Sequence, residues 1–377
     1  MKIVGILCEY NPLHLGHAKQ ISRIRESCGG ECAVVCLMSG NFVQRGHPAI
    51  FDKMLRAEAA LEAGADVVLE LPVTYALSSA EGFAAGAVSI LGAFCDEMSF
   101  GAEHPDRERL LAAAGALLSE EFPAHLRSHL DEGLSFPTAR AKAMEDMGAD
   151  AELLRSPNDI LAVEYCKAIL SQGSAMSPAP IHRPGSYHAD TPDPSDPSAT
   201  SLRRLIESGE EFRPFVPTAL FEGASVHTLR HGERAVLSRL RTMTDAEFEA
   251  LPYGTEGLWR KFMHECRQQN TLEDILTAVK SKRYTRTRLD RMAMCAFLGL
   301  TAEDLSSPAP YVRVLGFTRL GQQVLHRAKK ELQLFNVGQR VDDPFRQTEQ
   351  RCDDLYGLFA ETIEPAGREP KRRVIIR

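Results

Sequence analysis

Strand and helix patterns alternate through the first hundred residues of this chain, and that alternation constrains its fold more than any other feature. Residues 2–8 form an apolar run that reads as a buried strand, and Asn11-Pro12 marks the turn that ends it. Residues 18–26 read as a helix, and a second strand lies near 32–38. A loop over 39–48 leads into a helix over about 51–63, capped near Asp52, with alanine and leucine on its inner face. Residues 66–72 are a third strand, halted by Pro72. A small-residue helix over 78–91 and a short strand over 97–101 complete the pattern. It predicts a Rossmann-like α/β domain, a parallel sheet with helices on both faces. In such sheets ligands bind beyond the carboxyl ends of the strands, where His14, His17, the 39–48 loop and Gly101 all fall.

His14-Leu15-Gly16-His17 sits where the first strand gives way to the first helix. A helix N-terminus offers free N–H groups and partial positive charge to an anion. Two imidazoles beside it can hold a phosphoryl group as charge builds in a transition state. Gly16 lets the backbone approach a ligand closely. This is the HxGH signature of nucleotidyltransferases. The tetrapeptide by itself equally admits a turn residue and a helix cap, and the strand–turn–helix context favours the phosphate site.

A second constellation points the same way. Ser198-Ala199-Thr200-Ser201-Leu202-Arg203 places hydroxyls at a helix start and a cation one turn in, a phosphate cradle when paired with the histidines. Taken alone it would be an ordinary cap with a surface arginine. Asn158, at another helix start, can cap or recognise an adenine edge. Arg183 ends a last short strand over 181–183 and can pair with phosphate or with a surface carboxylate. Gln44 and Arg45 are loop residues that face either substrate or solvent.

Downstream, residues 105–172 look helical, and 184–197 hold four prolines and three aspartates, a loop pattern. Beyond about 214–217 helix patterns dominate, apart from the apolar run Tyr311-Val312-Arg313-Val314-Leu315. The expected organisation is a catalytic domain over 1–215 and a mainly helical domain over 216–377.

No apolar run approaches the roughly 20 residues needed to span a bilayer, and the N-terminus lacks a signal-peptide pattern. Nine cysteines without framework spacing fit reduced thiols, so a cytoplasmic location is expected. Cys28, Cys32 and Cys36 are spaced by four, but a strand carries Cys32 and Cys36 far apart and no fourth ligand stands nearby. They read as structural thiols, and no protein metal site is expected. The net charge of −7 gives no global attraction to nucleic acid, so any such binding requires a local patch.

Glu9-Tyr10-Asn11-Pro12-Leu13-His14-Leu15-Gly16-His17 resembles the opening of the bacterial tRNA(Met) cytidine acetate ligases. The resemblance continues in order through Met38-Ser39-Gly40-Asn41-Phe42-Val43-Gln44-Arg45-Gly46, Glu70-Leu71-Pro72, Phe100-Gly101-Ala102-Glu103 and Asn158-Asp159-Ile160-Leu161. It then runs through Tyr187-His188-Ala189-Asp190, Ser198-Ala199-Thr200 with Arg203, Val279-Lys280-Ser281-Lys282-Arg283-Tyr284-Thr285 and Arg313-Val314-Leu315-Gly316-Phe317. Leu13 and Leu15 stand where the family pattern has phenylalanine and asparagine, and Asp159 replaces a second asparagine.

The resemblance implies a two-step ligase. Acetate attacks the α-phosphate of ATP, giving acetyl-adenylate and pyrophosphate. The wobble cytidine of elongator tRNA(Met) then takes the acetyl group on N4. It implies His14 and His17 as catalytic residues, with ATP held by Leu7, Glu9, Tyr10, Asn11, His14, Gly16, His17, Gly101, Asn158, Arg183, Ser198, Thr200 and Arg203. Mg²⁺ is expected with the phosphates, without a carboxylate cage. The implied partners are tRNA(Met), ATP and acetate, and no protein partner or membrane is indicated. The RNA is expected at Lys280, Lys282, Arg283, Tyr284, Arg286 and Arg288, a basic and aromatic concentration suited to phosphate contact and base stacking. The basic tail over 368–377 is a second RNA contact or a solubilising segment.

Two rival readings remain at this level. One is a small-molecule nucleotidyltransferase, which has no need of the basic segment. The other is a nucleotide-sensing RNA-binding protein, which has no need of transition-state donors.

Overall fold

β1 (Lys2–Cys8) and β2 (Cys32–Ser39) are apolar on both faces, and the fold places them side by side inside a mostly parallel eight-stranded sheet. The computed structural model describes residues 1–183, 197–328 and 332–377. Further strands of its described residues are β3 (Phe42–Val43), β4 (His47–Pro48), β5 (Val67–Leu71), β6 (Glu97–Ala102), β7 (Ser177–His182), β8 (Val312–Phe317), β9 (Leu334–Asn336) and β10 (Ile375–Ile376). The sheet runs β10-β8-β5-β2-β1-β6-β7, with β9 beside β8. From β5 to β7 all pairings are parallel.

Alternation along β1 divides the core between two layers. Val4, Ile6 and Cys8 join Ile21 and Ile24 of helix Leu15–Ser27 and Ala57, Ala60 and Leu61 of helix Lys53–Glu62. Ile3 and Leu7 face the opposite layer, built from helices Ala80–Leu91, Arg107–Leu117 and Pro157–Ser171. The expected α/β architecture with helices on both faces is therefore present. β7 starts four residues before the strand expected over 181–183. Pro178 and Pro180 hide it in the sequence, and its edge position, paired only with β6, tolerates them.

The second half is mainly helical, and its apolar run at Tyr311 joins the sheet of the first half. The run at Tyr311 becomes β8, antiparallel to β5, and the C-terminal β10 pairs with β8. Val312, Val314 and Leu315 are buried there, so the returning chain covers the apolar edge that β5 would otherwise expose. The helical body lies between, in helices Leu229–Thr242, Leu258–Gln268, Leu272–Val279 and Arg286–Leu298. Its core of Val236, Phe262, Leu276, Leu289 and Phe297 also takes in Phe42 and Leu77 from the first half. The two halves thus share packing at that seam.

Candidate functional site

The turn after β1 is held by side chains directed inward. Tyr10 has a left-handed φ of 45° and is buried, with its hydroxyl 3.4 Å from Cys36 Sγ. Its side chain is a packing element of the core. Asn11 Oδ1 accepts from the Ile50 amide at 2.7 Å. Leu13, one of the departures from the family pattern, is completely buried in the same core.

His14 is the N-cap of helix Leu15–Ser27, and the two histidines cap reciprocally. The Gly16 amide donates to His14 Nδ1 at 3.1 Å, and the His14 amide donates to His17 Nδ1 at 3.3 Å. The rings stack with centroids 3.6 Å apart. This changes which donors the site offers. The amides of Gly16 and His17 are already used, the latter by the His14 carbonyl at 2.9 Å. Because each Nδ1 is an acceptor, each neutral ring carries its proton on Nε2. His14 Nε2 is buried without a hydrogen-bond partner.

Burial keeps both rings neutral. Desolvation, followed by the positive charges of Arg183 and Arg203, brings His14 down to about 3. His17 is lowered well below the ordinary histidine value by burial, with His14 and Arg183 adding to the effect.

Arg203 brings the second constellation to the first. Its Nη1 donates to the Asn11 carbonyl at 2.7 Å, and its Nη2 to Thr200 Oγ1 at 3.1 Å. Ser198 caps helix Ala199–Ser208 by accepting from the Ser201 amide at 3.1 Å. Arg183 reaches the same charge cluster from the end of β7. Its chain lies over Gly101, where a Cβ would stand only 2.9 Å from Arg183 Cδ. A side chain at position 101 would therefore displace the arginine. Leu7 pairs with Leu37 across β1 and β2, near the carboxyl ends. The block at Tyr187 lies outside the described residues.

Asn158 is used within the protein: its Nδ2 donates to Glu103 Oε1 at 3.0 Å. The second Glu103 oxygen accepts from the Asp159 amide at 2.8 Å, so Glu103 caps helix Pro157–Ser171 from outside. Asp159, another of the three departures, is fully buried and accepts from the His104 amide at 3.0 Å and pairs with His104 Nδ1 at 2.6 Å. An asparagine could not supply both acceptors.

Sequence reasoning missed Arg56. It is fully buried and donates to four carbonyls: Phe51 at 2.9 Å, Glu9 at 2.6 Å, Ser39 at 3.0 Å, and Gly40. It ties the turn after β1 to the turn after β2. An arginine on an amphipathic helix carries no local mark of such a role. Lys53 was missed in the same way: its ammonium sits buried 2.9 Å from both Glu70 and Glu369. Arg372, in the basic tail, pairs with Asp52, Asp353 and Glu369, so that part of the tail is held against helix Lys53–Glu62 and helix Phe345–Tyr356. Lys53, Glu70 and Asp353 line a small cavity with Asn41 and Arg313, about 20 Å³ of space that a water could occupy.

The basic segment is divided by its partners. Arg286 is bonded to Glu273 and Asp290, Arg283 to Glu256, and Arg288 to the Tyr253 carbonyl and Thr255. Lys280 and Lys282 are exposed and have no ion pair among the described residues. Tyr284 lies under Arg288, with the guanidinium 5.0 Å from its ring centre. All nine cysteines are free thiols. No helix of the described residues is long and apolar enough to cross a membrane.

Comparison with known proteins agrees with this geometry. The HIGH Nucleotidyl Transferase family matches residues 1–369. A tRNA(Met) cytidine acetate ligase of Clostridium novyi is 36% identical, over 88% of each chain. Its counterpart from Clostridium acetobutylicum is 36% identical over the full length of both. The crystal structure of apo Thermotoga maritima TmcAL superposes with a TM-score of 0.91 at 31% identity, covering 100% of both chains. The form of that protein bound with alpha-thio ATP gives 0.87 at 31% identity, also over 100% of both chains.

Proposed function

The chain belongs to the HIGH nucleotidyl transferase family and to its tRNA(Met) cytidine acetate ligases, and from that premise we propose how its residues perform the reaction. It is an ATP-dependent ligase that acetylates tRNA(Met) cytidine. Acetate is ionised at neutral pH and already nucleophilic, so the first step needs no general base. Its oxygen attacks the α-phosphorus, the bond to the β-phosphate oxygen breaks, and pyrophosphate leaves. The N4 amine of the wobble cytidine then attacks the acetyl carbon, releasing AMP and one proton.

The observation that carries this reading is the unpartnered, buried Nε2 of His14, stacked on His17. A neutral N–H buried without an acceptor costs about 1–3 kcal/mol, and a phosphate oxygen removes that cost. The two Nε2–H groups, with Arg183 and Arg203, meet the negative charge that grows on the α-phosphoryl oxygens. Neutral imidazoles donate there without drawing a proton from solvent. Ser198 and Thr200 at the start of helix Ala199–Ser208 complete the phosphate site. Asn158, held by Glu103, and Gly101 complete the nucleotide end. Glu9 and Asn11 shape the turn, and Leu7 and Tyr10 support it from below.

Mg²⁺ is assigned to the ATP phosphates: no group of three or more His, Cys, Asp or Glu among the described residues is arranged to hold a metal. When bound to the phosphates beside Ser198, Thr200 and Arg203, the ion would supply charge neutralisation as pyrophosphate departs. RNA contact is assigned to Lys280 and Lys282, with Tyr284 as a stacking surface, and the reaction to the cytoplasm.

Incubation with ATP, radiolabelled acetate and bacterial tRNA, followed by digestion to nucleosides, tests the reading. Label in N4-acetylcytidine is expected. Its absence with competent tRNA(Met) overturns the assignment.

A further inference from the structure

β3 and β4 form a two-stranded hairpin whose loop is Gln44-Arg45-Gly46. The Gly46 amide bonds the Val43 carbonyl at 2.8 Å, and Gly46 has φ 80°, the glycine geometry of a three-residue hairpin loop. Arg45 is at the tip, exposed, and has no ion pair or hydrogen bond among the described residues.

Both sides of this tip are pinned. The Gln44 amide donates to Glu9 Oε1 at 2.7 Å, fixing the loop to the turn that bears His14. On the other side, Gly46 lies flat on helix Arg286–Leu298, where a Cβ would fall 2.5 Å from the Arg291 amide nitrogen. His47 faces Asp290 at 3.9 Å from the same helix. A loop that carries a free guanidinium is therefore wedged between the phosphate site and the helix that follows the basic segment. Burial lowers the proton affinity of Arg203, and the positive charge of Arg45 adds to that effect, which agrees with a tip near the phosphate site.

Resting on the ligase reading, we infer that Arg45 binds a backbone phosphate of the acceptor RNA beside the reactive cytidine, aligning its N4 with the acetyl-adenylate. The chemistry favours a phosphate diester. The guanidinium is planar and presents paired donors, and the pinned turn fixes the backbone from which it reaches. The other arginines of the basic segment are tied to carboxylates and carbonyls of the protein, whereas Arg45 is not. Its loop touches the turn that bears His14 through Glu9, and on the other side helix Arg286–Leu298, which opens with the last arginines of the basic segment.

The test separates the half-reactions of the full-length protein. Acetate-dependent exchange of pyrophosphate into ATP reads adenylate formation, and labelled acetate reads transfer to tRNA(Met). Arg45→Ala is expected to raise KM for tRNA at least tenfold more than it raises KM for ATP. It is also expected to reduce the slope of log affinity against log salt by about 1. Arg45→Lys should restore the salt slope and only part of the KM, because it keeps charge without the paired donors. An unchanged tRNA KM and salt slope overturns the inference, as does a rise confined to the ATP KM, which would make Arg45 a nucleotide contact. Absence of exchange and transfer in the unaltered protein overturns the ligase reading itself.

Discussion

Arg203 donates to the main-chain carbonyl of Asn11 at 2.7 Å, joining segments 192 positions apart. That bond fixes the late serine- and threonine-bearing helix against the histidine turn. A hydrogen bond to a charged group contributes about 1.5–3 kcal/mol. Arg203→Ala is therefore expected to raise KM for ATP by roughly 10- to 150-fold in pyrophosphate exchange. Arg203→Lys should recover little, since one ammonium cannot span the Asn11 carbonyl, Thr200 and a phosphate.

Removing one charge-stabilising donor costs about 10²–10³ in turnover where the donor acts mainly in the transition state. His14→Asn and His17→Asn should each lower kcat for adenylate formation on that scale, with a smaller change in KM for ATP. Single-turnover quench of the exchange reaction measures this. A variant that keeps full kcat removes that histidine from the chemistry.

The depressed value of His14 makes stability sensitive to acid. The unfolded chain takes up a proton near pH 6.5, whereas the buried ring resists protonation until about 3. Between those values the unfolded state binds more protons, so stability falls as pH drops. At pH 5 the loss from His14 alone is about 2 kcal/mol relative to pH 8. Denaturant titrations at the two pH values should show a smaller loss in His14→Asn.

Arg56→Met leaves the Glu9, Ser39, Gly40 and Phe51 carbonyls without their donor. Each uncompensated buried group costs about 1–3 kcal/mol. A stability loss of at least 3 kcal/mol is expected by urea titration, a larger effect than surface arginines give.

Lys280→Ala with Lys282→Ala should lower the salt slope of tRNA binding by roughly 1–2 and leave the melting temperature within a degree or two. Arg286→Ala should do the opposite, destabilising the fold through Glu273 and Asp290 with little change in salt slope. Filter binding across a salt series distinguishes them.

Residue order alone specified the layered α/β core and the position of the histidine turn. Both depend on local pattern: apolar runs such as 32–38, a proline stop after Leu71, and a helix begun by His14. It also marked Ser198 and Arg203, because hydroxyls at a helix start with a cation one turn later are legible in six residues. Which donors those residues present depends on contacts made in the folded protein. Gly16 gives its amide to His14, so the site offers imidazole Nε2–H in place of a bare helix end. Folding likewise brings β8 back over the edge of β5 and commits Arg286 to Glu273, while Arg45, at its pinned turn, has no partner among the described residues. Those outcomes depend on partners tens to hundreds of residues away. Hydrogen-bond pairing and burial at that range leave no periodicity or spacing in the chain.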